Sequence, residues 1–205
     1  MEINEIQADL LKEAFNLGVG RAAQALSEIA GGEEIELSVP QVQIKSVESL
    51  ISQIRKLSGD QIAGVSESFR GPFNGRAMML YSQQESLELV KIMLGDHIPV
   101  EALSEMEGEA LCEVGNIVLN ACISTLANLL ETEIETEVPD LHIGSCSEVL
   151  SNSLGKNDDK VLYLRMTFGI ERHSLQGHIS FFLNVASTNQ LKACLQNYFD
   201  KILSS

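Results

Sequence analysis

Two long stretches of this chain carry apolar residues at the three-and-four spacing of a helix, with a polar row running opposite. Between 5 and 30 the apolar set is Ile6, Leu10, Ala14, Leu17, Ala22, Ala25, Leu26 and Ile29, and the polar row is Asp9, Glu13, Asn16 and Gly20. Such periodicity predicts an amphipathic helix. Over roughly 104–131 the row recurs as Glu109, Glu113, Asn116 and Asn120, with Leu111, Val114, Val118 and Leu126 on other parts of the cylinder. Ser104 followed by Glu107 reads as a capping box opening the second helix, and Gly31-Gly32 reads as the end of the first.

Alternation and β-branching predict strands near 35–44, 62–70, 75–83, 134–143, 160–170 and 176–186, and GPFNG at 71–75 predicts a hairpin turn between the second and third. A shorter helix fits 47–57. Its counterpart near 147–154 reads as a loop, because Asn152, Ser153 and Gly155 disfavour a helix. Asp96-His97-Ile98-Pro99 reads as a turn, since proline cannot continue a helix and restricts its predecessor.

These elements form one unit used twice. Glu13 falls on Glu113, Asn16 on Asn116, Leu26 on Leu126 and Ile29 on Leu129. After a one-residue shift, Ile35, Glu36, Val39, Pro40 and Ile44 fall on Ile134, Glu135, Val138, Pro139 and Ile143. Later, Gly75, Met79, Leu80 and Leu89 fall on Gly177, Phe181, Phe182 and Leu191. Two repeats, about 1–98 and 99–205, without a flexible linker between them, predict a single domain. The fold class expected is α+β: an internally duplicated, pseudo-two-fold domain with a six-stranded antiparallel-rich sheet packed by long helices.

Composition narrows the chemistry. At 205 residues and 44% hydrophobic content the chain can bury a substantial core, and no run of 18 apolar residues suggests membrane insertion. The acidic start, MEINEIQADLLKE, lacks the basic end and apolar run of a signal peptide, so the cytoplasm is expected. Net charge is −15, with no cluster of Lys or Arg interleaved with aromatics, which argues against nucleic acid. Cys112, Cys122, Cys146 and Cys194 show no C-x-x-C spacing and read as small buried hydrophobes. The four histidines, His97, His142, His173 and His178, are scattered and form no metal pattern.

Gly18-Val19-Gly20-Arg21-Ala22-Ala23 satisfies a G-x-G-x-x-A dinucleotide pattern but lies in mid-helix, where its amides are already bonded. Small residues there let the helix approach a neighbour closely. The chemistry-bearing feature is Glu-x-x-Asn, present at Glu13/Asn16 and Glu113/Asn116. Three residues apart, the pair projects from one helix face and sets an acceptor-only carboxylate beside an amide that both donates and accepts. Asn is no general base at neutral pH, so it would orient a reactant such as water while Glu holds a cation or a partner's Lys.

LSEMEGEALCEVGNIVLNA at 103–121, the spacing from Asn116 to Pro139, and the pattern from Asp9 through Glu13 and Asn16 to Pro40 resemble the chemotaxis phosphatase family that includes CheC, CheX and the middle part of FliY. Two full motifs resemble the CheC type. The resemblance implies removal of the phosphoryl group from the aspartyl phosphate of the response regulator CheY, with Mg²⁺ supplied by the regulator and no cofactor bound by this chain. It implies that Asn16 and Asn116 align a water for in-line attack while Glu13 and Glu113 grip a regulator Lys, which is catalysis by positioning. It also implies a second partner, the receptor deamidase CheD.

Three departures accompany it. The run from Asn16 to Pro40 is one residue longer than that from Asn116 to Pro139, Ala14-Phe15 stands where the second motif has Val114-Gly115, and Glu109 stands where the family more commonly has Asp or Ser. Phe15 is expected to crowd the first docking surface, leaving the second site better presented. A non-catalytic adaptor that binds a regulator or CheD would share the same scaffold, and a small-molecule module would need a pocket of convergent polar groups instead of open helix faces.

Overall fold

The alternating strands and paired helices are built into one curled antiparallel sheet in a computed structural model that describes residues 4–32, 34–94, 100–153, 160–170, 173–183 and 185–203. The first half contributes α1 (Glu5–Ile29), β1 (Ile35–Ser46), α2 (Val47–Ser58), β2 (Gln61–Arg70), β3 (Gly75–Ser82) and α3 (Gln83–Leu94). The second contributes α4 (Val100–Leu129), β4 (Glu135–Thr136), β5 (Asp140–Ser145), α5 (Cys146–Ser153), β6 (Lys160–Ile170), β7 (His173–Leu183) and α6 (Val185–Leu203).

Strand order is β1-β6-β7-β3-β2, with β4 and β5 both paired to β2. Each repeat therefore lends its first strand to the other: β1 lies on β6, and β5 lies on β2. The repeats meet where β3 pairs with β7, and Met78 stands opposite Ser180, the residue that the repeat makes its own twin. A pseudo-two-fold axis passes through that pair.

Both faces of the sheet are covered, so its central strands are buried almost continuously instead of alternating with water. Ala77, Met79 and Tyr81 point to the face packed by α1, α3, α4 and α6, whereas Met78 and Leu80 point to the face packed by α2 and α5. Met106–Leu129 of α4 is long and apolar enough to cross a membrane by composition, with a mean hydropathy of 1.5, yet half of it is buried in this fold.

Several sequence expectations are corrected. Within the expected loop at 147–154, residues 147–153 are helical in α5: a Ser145-x-x-Glu148 capping box closes its start, with Ser145 O–H donating to Glu148 Oε2 at 2.6 Å and Glu148 N–H donating to Ser145 Oγ at 3.3 Å. Val149 and Leu150 then bury against α2 and the sheet, which outweighs the weak helix formers that follow. Helix α4 already runs at Val100, so position 104 lies inside it and is not its start; Glu107 accepts a hydrogen bond from Ser86 Oγ at 3.1 Å. The strand expected at 134–143 is split into β4 and β5, which makes seven strands among the described residues where six were expected. Pro139 lacks an N–H for the ladder and restricts Val138, which is 89% exposed. Strand β7 starts earlier than expected and ends at Leu183. The turn expected at Asp96–Pro99 lies outside the described residues.

The apolar stripe of α1 is rotated from the one expected. Leu11, Phe15, Val19, Ala22 and Leu26 are buried, while Ile6, Leu17 and Ile29 are exposed. Gly18 is where α1 approaches α4: an added Cβ would stand 2.9 Å from Ala121 O and from Thr125 Oγ1. That contact explains half of the glycine-rich stretch. Gly31 and Gly32, at φ 73° and 93°, end α1 as expected.

His178 is a satisfied core group. Its Nδ1 lies 2.8 Å from Tyr163 OH and its Nε2 lies 3.0 Å from Ser58 Oγ. Tyr163 already accepts from Gln53 Nε2, so its own proton points to Nδ1, and a neutral ring protonated on Nε2 completes the set. Burial holds the imidazole down from its ordinary 6.5 to about 4. A depressed folded pKa contributes stability above 6.5 that is lost as pH falls toward 4. Lowering the pH from 7 to 5 should therefore cost about 2 kcal/mol through this group. Urea melts of the wild type and of His178→Gln at the two pH values check it, and an equal acid response in both proteins would show that His178 is not responsible.

Candidate functional site

The two Glu-x-x-Asn pairs lie on the central helices α1 and α4, whose buried sides pack on each other and on the sheet. Helical spacing sets Glu and Asn one turn apart on the outer side. Glu13 and Glu113 are exposed and have no salt-bridge or hydrogen-bond partner among the described residues. Asn16 and Asn116 are half-buried one turn further on. Glu113 also borders an apolar groove of about 300 Å³ that is lined by Ile29, Met93, Leu94, Met106 and Ala110. Beside Glu13 and Asn16, Leu17 is 65% exposed. Each carboxylate thus stands among exposed apolar side chains, an arrangement that suits a protein partner.

The two asparagines are held differently. Asn16 Nδ2 donates to Lys12 O at 2.8 Å and to Val39 O at 3.1 Å, and Asn16 Oδ1 accepts from Val39 N–H at 2.8 Å. The β1–β6 register slips between Ser38 and Gln41, around Pro40. Such a bulge frees backbone groups from the ladder, and the Asn16 amide occupies those of Val39. Both of its N–H donors are engaged.

In the second half the corresponding chain has left the sheet. Asn116 is not joined to Val138; its Oδ1 accepts from Asn120 Nδ2 at 2.7 Å, and its NH₂ has no hydrogen-bond partner among the described residues. Asn120 Oδ1 in turn accepts from Thr136 Oγ1 at 2.9 Å, and Asn120 Nδ2 lies 3.4 Å from Glu67 Oε2. Glu67 is only 1% exposed, and its Oε1 has no hydrogen-bond partner among the described residues. Burial pushes the Glu67 carboxyl up from its usual value, while the neighbouring Thr136 and Asn120 side chains oppose that rise. The sequence reading noted Asn120 in the polar row but missed Glu67 and Thr136. The available signal was an acid on the same face of β2 as Val65 and Phe69.

Phe15 does not crowd the docking surface. It is fully buried, with its ring 5.4 Å from that of Phe181, because its position on the helix faces the sheet. The twin Gly115 has a different cause: an added Cβ would lie 2.4 Å from Val65 Cγ1, so α4 sits against β2 at a distance that excludes a side chain.

No protein-family model matches the chain. Its α+β fold is shared by solved structures to which it is less than 25% identical. It is 24% identical over 155 residues, covering 74% of this chain and 73% of the relative, to the CheY-P phosphatase CheC of Bacillus subtilis (strain 168). The X-ray structure of Thermotoga maritima FliY superimposes with a TM-score of 0.75 at 21% identity, covering 98% of this chain and 99% of that one. A chain of the Borrelia burgdorferi CheX-CheY-BeF₃-Mg²⁺ complex superimposes with a TM-score of 0.51 at 18% identity, covering 84% and 96%. The chain resembles the CheC/CheX/FliY family in sequence and in fold.

The close approach at Gly115 generates a stability prediction. Gly115→Ala should destabilise by about 1–3 kcal/mol, because overpacking must move α4 or Val65. Gly20→Ala, with nothing within 4 Å of the added carbon, should stabilise by up to about 1 kcal/mol through helix propensity. Urea denaturation of the two variants checks both signs; a Gly115→Ala protein as stable as wild type would refute the steric reading.

Proposed function

We propose that this chain is a protein aspartyl-phosphate phosphatase acting on a phosphorylated CheY-type response regulator in the cytoplasm. The observation that carries the reading is the half-buried Asn116 NH₂ beside the Glu113 carboxylate, both without a partner among the described residues. Glu113 grips a Lys of the regulator as the apolar groove receives the surrounding surface, and Asn116 enters beside the phosphoryl group. There its N–H groups hold the attacking water or a phosphoryl oxygen and set the line of displacement. Water forms the new P–O bond as the bond to the aspartyl oxygen breaks. The leaving group is a carboxylate and needs no general acid, and the water's proton passes to phosphate or solvent. The Mg²⁺ belongs to the regulator. Positioning and electrostatics suffice for such a transfer, so His or Cys nucleophiles are not required.

Glu13 and Asn16 form the twin face, with the Asn16 donors committed to Lys12 and Val39 in the free protein. That commitment favours a second reading for the first face, docking without turnover, as in an adaptor for a regulator or for the CheD deamidase.

Incubation with phosphorylated CheY and Mg²⁺, following release of phosphate, tests the activity. Asn16→Ala combined with Asn116→Ala should lower stimulated dephosphorylation by about 10²-fold or more, since lost positioning can cost that much. Circular dichroism should show an unchanged fold. A folded double variant with full activity would sink the assignment.

The two faces should also differ in weight. Asn116→Ala should cost more turnover than Asn16→Ala, because using Asn16 requires breaking its bonds to Val39 while Asn116 is ready. Single-variant rates against the same regulator decide this, and a larger loss in folded Asn16→Ala would reverse the ranking.

A further inference from the structure

We propose that Glu67 and Asn120 are positioning residues for Asn116, with Glu67 acting through Asn120 to set which atom of the Asn116 amide faces outward. The consequence for turnover rests on the phosphatase reading; the geometry does not.

The two ends of an Asn amide have nearly the same shape, so a half-turn of the group is resisted only by partners that differ in donor and acceptor character. An ionised carboxylate only accepts. The end of Asn120 that faces Glu67 Oε2 must therefore be its NH₂, and the same NH₂ supplies the 2.7 Å bond to Asn116 Oδ1. The opposite end, Oδ1, receives the Thr136 hydroxyl at 2.9 Å. With its oxygen drawn inward, Asn116 turns its NH₂ to the outside. A neutral amide in place of Glu67 would permit either orientation of Asn120, and so of Asn116.

The scaffold itself has no need of an acid at this place. Matching Ile44 with Ile143, which pair with Leu162 and Ala63, sets Glu67 against Met166, whereas matching Ala77 with Ile179, which pair with Glu67 and Leu164, sets it against Leu164; by either register an apolar residue of β6 stands in its place. Met166 and Leu164 are both fully buried in the core. Gly20 is the twin of Asn120, so the Glu13/Asn16 face has neither group, and Asn16 is held by the Val39 backbone instead. A carboxylate that is 1% exposed, with one oxygen unpartnered, costs free energy that a Met in its place would not. Its return is the directed amide at Asn116.

The test uses the full chain carrying Asn16→Ala, so that turnover comes from the second face. Adding Glu67→Gln should lower kcat for phosphorylated CheY by about 10-fold, while KM stays within about twofold. Glu67→Met, which places an apolar side chain there as on the other face, should melt no lower than its parent and lose turnover to a similar extent. In a protein carrying Asn116→Ala with the first face intact, neither Glu67 variant should reduce the remaining rate further. Side-chain ¹⁵NH₂ resonances give a readout independent of turnover: those of Asn116, identified by their loss in Asn116→Ala, should move in Glu67→Gln while those of Asn16 stay in place. Unmoved Asn116 resonances, full kcat in a folded Glu67→Met protein, or an equal loss with and without Asn116 would overturn the proposal. A wild-type chain without turnover would overturn the phosphatase reading alone, leaving the resonances to decide this one.

Discussion

The antiparallel ladder between β3 and β7 is the contact on which the rest of the molecule depends. It places Met78 opposite its own twin Ser180 and so generates the pseudo-two-fold arrangement. Around it each repeat gives its first strand to the other, because β1 pairs with β6 and β5 pairs with β2. Neither half closes its sheet alone. This exchange sets α1 and α4 side by side over one face, with the unpaired carboxylates of Glu13 and Glu113 outward and their apolar stripes inward.

Within that symmetric frame the two faces diverge through local backbone chemistry. Pro40 and Pro139 both remove a ladder donor. In β1 the strand continues past the bulge, and the amide of Asn16 takes up the N–H and C=O of Val39. In the second half the chain leaves the sheet between β4 and β5, and Glu137 N–H bonds to Ser68 O. Asn116 is left with its donors unengaged. The same proline thus yields a backbone-locked amide on one side and an available amide on the other.

Packing under the helices diverges in parallel. Phe15 fills the space between α1 and Phe181, whereas Gly115 lets α4 approach Val65. Beside that approach, α4 keeps polar groups at its contact with β2, where Glu67, Asn120 and Thr136 form a network with one buried oxygen unsatisfied. Under the Glu13/Asn16 face, Gly20 and buried apolar residues of β6 stand at those places. A buried carboxylate lowers stability, but its acceptor-only character gives direction to amides that otherwise have none.

The sequence by itself determined the duplication, the helices and most strands, and the placing of Glu and Asn on one face, because helical and strand periodicities are properties of neighbouring residues. It left three things undecided. The covered arc of α1 depends on where α4 and the sheet lie, which put Phe15 inside and Leu17 outside against the apparent stripe. Helix α5 depended on burial of Val149 and Leu150 from afar, with a capping box that was present in the sequence and overlooked. The state of each site asparagine was decided by groups remote in the chain, Val39 for Asn16 and Glu67 through Asn120 for Asn116. Hydrogen bonding is satisfied in space and not along the chain, so only the tertiary structure could distinguish two motifs that read alike.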